Sequence, residues 1–114
     1  MDSWIARMEN ALAVLASRLD DPPSLEELAG AANVSPFHFH RIWRTMAGET
    51  VARTIARLRI ASAQQRLAEP DASVTSVAIE TGFGSSQSFA RAFRRATGAT
   101  PQDFRQRAGG PPET

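Results

Sequence analysis

Two stretches of this 114-residue chain place groups that can recognise an anionic, hydrogen-bonding surface at helical spacing. Phe37, His40, Arg41 and Arg44 fall at i, i+3, i+4 and i+7, so they share one face if the segment is helical. Gln87, Ala90, Arg91 and Arg94 repeat the pattern further along. A guanidinium donates in a fork to O6 and N7 of guanine, a glutamine amide pairs with the adenine edge, and an aromatic ring packs on a thymine methyl. Such faces suit the major groove of double-stranded DNA. Taken alone, each arginine is better explained as a solvated or phosphate-neutralising group, so the paired stripes carry the reading rather than any single residue.

Other chemistries find little support. The chain has no cysteine, which removes disulfides, thiolate nucleophiles and thiolate zinc sites. His38 and His40 stand two apart, about 200° around a helix, and suit surface packing better than joint metal binding. The glycine-rich Gly82–Ser86 follows a helical pattern rather than a strand and lacks the lysine of a phosphate-binding loop. No nucleophile-elbow motif is visible. We therefore expect no enzyme activity, no cofactor and no metal. The longest apolar run, Ala11 to Ala16, is six residues, too short for a membrane span or a signal-peptide core. A cytoplasmic, nucleoid-associated location without membrane contact is the expectation.

Net charge is only +1, yet its distribution is uneven, and every basic residue is arginine. Met1–Ser35 carries −4, Pro36–Ala68 carries +5, Glu69–Ser85 carries −3 and Ser86–Arg107 carries +4. Each candidate stripe lies in a basic block, which suggests two basic surfaces facing an anionic partner while the acidic segments point elsewhere. Ordinary solvated helix charge explains the blocks as well. A helical protein-interaction domain gripping an acidic partner is the alternative function.

The elements that must position these faces are all helical. Seven helices are read and no segment alternates like a strand, giving an all-α class. Trp4, Ile5, Met8, Leu12, Leu15 and Leu19 form the stripe of the first, which Asp20-Asp21-Pro22-Pro23 stops. Ser24 with Glu27 is a capping box for a short second helix. Ser35 and Pro36 then open a third that runs to Gly48, with Phe39, Ile42, Trp43 and Met46 inward. Thr50 caps a long helix to Leu67, with Val51, Ile55, Leu58 and Leu67 inward. Ser73 opens the next short helix, Ser85 or Ser86 starts one reaching Gly98 with Phe89, Ala92, Phe93 and Ala96 inward, and Thr100-Pro101 begins the last. Residues 108–114 read as a flexible tail or the start of a linker.

The second half repeats the first. Leu28-Ala29 matches Val77-Ala78 at an offset of 49, and Phe39, Arg41, Trp43, Arg44, Gly48 and Thr50 match Phe89, Arg91, Phe93, Arg94, Gly98 and Thr100 at 50. One residue has been added in the second turn. Each unit has a small residue, Ala29 or Ala78, where short helices cross, and four positions later Asn33 or Gly82, types that tolerate a left-handed backbone. The pattern is a duplicated helix-turn-helix, about 24–48 and 73–98, joined by a linker helix at about 50–68.

Gly82 to Arg105, GFGSSQSFARAFRRATGATPQDFR, resembles the signature of the AraC/XylS family of bacterial transcription regulators. SLEELAGAANVSPFHFHRIWRTMAGET resembles that family's first helix-turn-helix. The resemblance covers roughly Ser3 to Arg107 and implies a bipartite DNA-binding domain over 1–107 in a sequence-specific regulator, expected to be an activator, whose two recognition helices enter successive major grooves. Position by position it implies base readers at Phe37, His40 and Arg41, and at Ser86, Gln87, Ser88 and Arg91, with Arg44, Arg94 and Arg95 as further DNA contacts. Thr54 departs from the aromatic often found there, which affects local packing. RNA polymerase is an implied partner. SPFHFHR near the start is most similar to members that carry a GyrI-like effector domain after the DNA-binding part, and the sequence does not separate such a fragment from a complete small activator.

Geometry constrains the connector. Val51 to Leu67 is 17 residues, about 26 Å of helix, against about 34 Å between successive major grooves on one face. Flanking elements or DNA bending are expected to supply the difference. If roughly six phosphates are neutralised, log K against log salt falls with a slope of about −5. A titration giving a slope near zero would remove the DNA reading.

Overall fold

A computed structural model describes residues 2–108, which form seven helices with no strand among them. In order they are α1 (Asp2–Ser17), α2 (Leu25–Ala31), α3 (Pro36–Ala47), α4 (Val51–Leu67), α5 (Val74–Glu80), α6 (Ser86–Thr97) and α7 (Pro101–Ala108). The proposed tail lies outside the described residues, except that Ala108 closes α7 rather than beginning a linker. The chain forms two compact units, Met1–Ala56 and Arg57–Thr114, and the boundary falls within α4.

Local chemistry sets the helix ends as the sequence predicts. Ser24 Oγ accepts from the Glu27 amide at 3.1 Å while the Ser24 amide donates to Glu27 Oε1 at 2.7 Å, a reciprocal capping box. Ser35, Thr50, Ser85 and Thr100 each accept from the amide three residues on, at 3.0–3.1 Å. The two short helices end alike. The Val34 amide donates to the Ala29 carbonyl and the Asn33 amide to Gly30; in the second unit Phe83 donates to Ala78 and Gly82 to Ile79. Both turns are thus Schellman motifs, with Asn33 at φ 62° and Gly82 at φ 94° in the left-handed position that the motif requires. The residue added in the second turn is accommodated at Gly84, after the motif closes and before the Ser85 cap.

In the first unit Leu15, Leu28, Ala29, Phe39 and Trp43 are buried. In the second, Ile60, Ala63, Leu67, Val77, Ala78, Phe89 and Phe93 form one cluster, flanked by Phe83 and Phe104. Its rings run in a chain, Phe83 to Phe89 at 5.1 Å, Phe89 to Phe93 at 5.5 Å and Phe93 to Phe104 at 5.4 Å, the last two edge-on. Full burial of each of the Val, Leu, Ile and Phe side chains contributes about 1.5–3 kcal/mol.

Several inward assignments need correction. Ile5 and Leu12 on α1 are 47% and 40% exposed, and Ala11 takes an inward place instead. Met46 and Ala96, each in the last turn of its helix, are exposed. On α4, Ile55 and Leu58 are half-buried whereas Ile60 and Ala63 are buried. No single stripe at 100° per residue contains both Val51 and Ile60, so a one-face reading of this helix fails.

Phe93 and Gly98 separate packing from backbone strain. Phe93→Ala should cost about 3–5 kcal/mol. Gly98 has φ 82° and nothing within 4 Å of where a Cβ would sit, so Gly98→Ala should cost only about 1–2 kcal/mol from the left-handed conformation. Denaturant unfolding of the two variants checks both, and equal losses would contradict the assignment.

Candidate nucleic-acid interface

On α3, Phe39 and Trp43 are 0% and 2% exposed, with ring centres 5.9 Å apart. Holding that face inward turns the opposite stripe to solvent. Phe37 is 72% exposed, and Arg41 and Arg44 are exposed beside it. The Arg41 guanidinium carbon lies 5.9 Å from the centre of the Phe37 ring, at the outer limit of a cation–π contact. His40 is half-buried. His38, off this stripe, packs on Trp4, ring centres 5.8 Å apart, while Arg7 covers Trp4 at 4.7 Å.

α6 repeats the arrangement with different chemistry. Phe89 and Phe93 are fully buried, and Ser86, Gln87, Arg91, Arg94 and Arg95 are exposed. Ser88 is half-buried and its amide is committed to the Ser85 cap at 3.1 Å. Each unit therefore gathers its own candidates onto one recognition helix, and only His40 and Ser88 are partly withdrawn from solvent. Gly48 and Gly98, both left-handed, donate to the carbonyls of Arg44 and Arg94 at 3.0 and 2.8 Å and end the two helices at equivalent points.

The charge blocks are less cleanly separated than the sequence suggests. Arg66 of a basic block pairs with Glu80 of an acidic one at 2.8 Å, both about half exposed, so not every acidic residue points elsewhere. Exposed pairs of this kind are worth about 0–1 kcal/mol. Arg105 donates to the Pro70 carbonyl at 3.2 Å with its Nε buried, and Arg59 lies 6.0 Å from the Phe83 ring. These two contacts lie within the second unit. Glu49, the lone carboxylate of the first basic block, accepts from the Thr54 hydroxyl at 2.6 Å. Sequence spacing did not reveal Thr54 as a polar anchor; the signal available was a hydroxyl where the family pattern has an aromatic.

Among the described residues no cluster of His, Asp or Glu could hold a metal, and no helix is long and apolar enough to cross a membrane. The model of a helix-turn-helix domain matches residues 28–107, from α2 through α7. The chain belongs to the AraC-type helix-turn-helix family. It is 35% identical over 101 residues to the HTH-type transcriptional activator RhaS of Citrobacter koseri, covering 89% of this chain and 36% of that protein. Regulatory protein SoxS of Escherichia coli K12 is 27% identical over 100 residues, 88% of this chain and 94% of that protein. The DNA-binding domain of AdpA, solved in complex with a target DNA, superposes with a TM-score of 0.78 at 29% identity, covering 87% of this chain and 89% of that one. The chain spans about a third of the length of the first curated relatives it matches. As an AraC-type domain it is a helix-turn-helix DNA-binding module.

Within this module the exposed Phe37 adds nothing to the core. Phe37→Ala should leave stability within about 0.5 kcal/mol, measured by thermal unfolding; a larger loss would mean that the ring packs rather than projects.

Proposed function

We propose that α3 and α6 each enter a major groove of one duplex, that Phe37, His40 and Arg41 read bases in one half-site, and that Ser86, Gln87, Ser88 and Arg91 read bases in the other. Arg44, Arg94 and Arg95, further toward the helix C-termini, contact phosphate. The observation that carries this reading is the duplicated pairing of a buried aromatic face with an outward arginine-bearing face. Backbone contacts would set position and register, and base-edge contacts would set sequence. On α3 the Phe37 ring and the Arg41 guanidinium stand side by side, so a fork onto guanine and packing on a neighbouring thymine methyl suit the same surface.

The regulator is proposed to be an activator, as RhaS is. RNA polymerase is the partner that activation would require, and a further effector domain is proposed for the protein that carries this module. The bipartite domain itself is assigned to residues 1–107. No chemistry beyond binding is needed for these roles.

Selection from random duplex DNA tests the reading directly, with enrichment of an asymmetric two-part motif expected. On the selected site, Arg41→Ala and Arg91→Ala should each cost about 1–3 kcal/mol and relax preference in one half only. Arg94→Ala should weaken selected and random duplexes alike. Equal losses on both kinds of DNA for Arg41→Ala and Arg91→Ala would make those residues phosphate contacts.

A further inference from the structure

The side of α3 away from the recognition stripe is tied to α4 by a polar relay. The Trp43 indole Nε1–H donates to Thr54 Oγ1 at 3.1 Å, and both residues are almost fully buried, at 2% and 1% exposure. The Thr54 hydroxyl has one proton. Its shortest acceptor is Glu49 Oε2 at 2.6 Å, with the Thr50 carbonyl at 3.1 Å as the alternative. The relay thus joins the middle of α3, the Gly48–Thr50 connection and the first turn of α4.

The duplication supplies an internal comparison. Adding the offset of 50 to Trp43 and Thr54 gives Phe93 and Phe104, which meet edge-on at 5.4 Å. The same junction is therefore apolar in the second unit and hydrogen-bonded in the first. Edge-to-face rings keep their contact over centre separations of about 4.5–7 Å, whereas an N–H···O bond weakens steeply with distance and away from linearity, so the relay specifies the rotation of α3 more narrowly than the ring contact does in the second unit. The tolerance matters. A side-chain atom about 6 Å from the helix axis moves about 1 Å for a 10° roll, and bidentate recognition needs placement within about 0.5 Å.

We propose that the Trp43–Thr54–Glu49 relay sets the roll of α3 about its own axis, which makes Thr54 a positioning residue for base reading by Phe37 and Arg41. The proposal rests on the DNA reading given above. It also gives the lone carboxylate of a basic block a role, as the acceptor that orients the Thr54 hydroxyl.

Three variants test it. Thr54→Val keeps shape and removes the hydroxyl, Trp43→Phe removes the donor, and Thr54→Ser retains the hydroxyl. Binding is measured on the selected duplex, on duplexes altered in either half, and on random DNA. Thr54→Val and Trp43→Phe should each lose about tenfold in discrimination, or about 1.4 kcal/mol, in the half read by α3. Discrimination in the α6 half and random-DNA affinity should stay within twofold, and Thr54→Ser should behave as wild type. A DNA-free readout accompanies these measurements: the Trp43 indole N–H should exchange slowly with solvent in wild type and Thr54→Ser, and faster in Thr54→Val. Unchanged discrimination in Thr54→Val, equal losses on selected and random DNA, or unchanged indole exchange would each overturn the proposal. Wild-type protein that enriches no motif would overturn the DNA reading itself, whereas a clear motif with an indifferent Thr54→Val overturns the relay alone.

Discussion

Everything about the two recognition helices depends on a pair of buried aromatic rings one turn apart, Phe39 with Trp43 in α3 and Phe89 with Phe93 in α6. A helix can offer a defined face to a ligand only when another face is fixed, and two rings at i and i+4 fix it by occupying one side of two successive turns. The short helices α2 and α5 supply the floor. Ala29 and Ala78 are fully buried where bulk would hold the helices apart, and Schellman turns with Asn33 or Gly82 in the left-handed position start the next helix at the required angle. Caps and glycines then decide where each recognition helix begins and ends, and so which residues its outward stripe contains.

What was legible in the sequence was mostly what is local. Ser24, Ser35 and Thr50 cap as expected, and Ser85 rather than Ser86 caps α6, because a hydroxyl three residues before an orphan amide needs no tertiary information to find it. The turns follow from residue type for the same reason. The outward stripes were also readable, since buried Phe39, Trp43, Phe89 and Phe93 leave only the opposite faces for Arg41 and Arg91. Misreadings occur where a residue's fate is set by elements distant in sequence. Met46 and Ala96 lie on the inward stripe yet are exposed in the last turn of their helices, and α4 changes its buried side between Val51 and Ile60. The Arg66–Glu80 pair spans 14 residues, and periodicity cannot see it.

Uniform use of arginine conceals a division of labour. Arg105 and Arg59 lie against a carbonyl and a ring within the second unit, Arg7 covers Trp4, and Arg66 holds a carboxylate. A planar, weakly hydrated guanidinium performs all of these tasks, where an ammonium would need full solvation. Charge totals along the chain therefore overstate the positive surface available to a ligand. Arg41, Arg44, Arg91, Arg94 and Arg95 are different, because the buried aromatics beneath their helices turn them outward.

The two units have kept their scaffold and exchanged their chemistry. α3 opens with Pro36 and presents an aromatic ring with a guanidinium beside it; α6 follows an added glycine and opens with Ser86, Gln87 and Ser88, short polar groups suited to adaptable hydrogen bonding. Their anchors differ in the same sense, a directional polar relay under α3 and edge-to-face rings under α6. Palindromic operators arise when a protein two-fold axis presents one surface twice. A single chain with two unlike faces imposes no such symmetry. On the proposed reading its preferred duplex has two unlike halves, so orientation on DNA is set by the chain itself, and a partner bound to one end of the module meets one defined direction along the duplex.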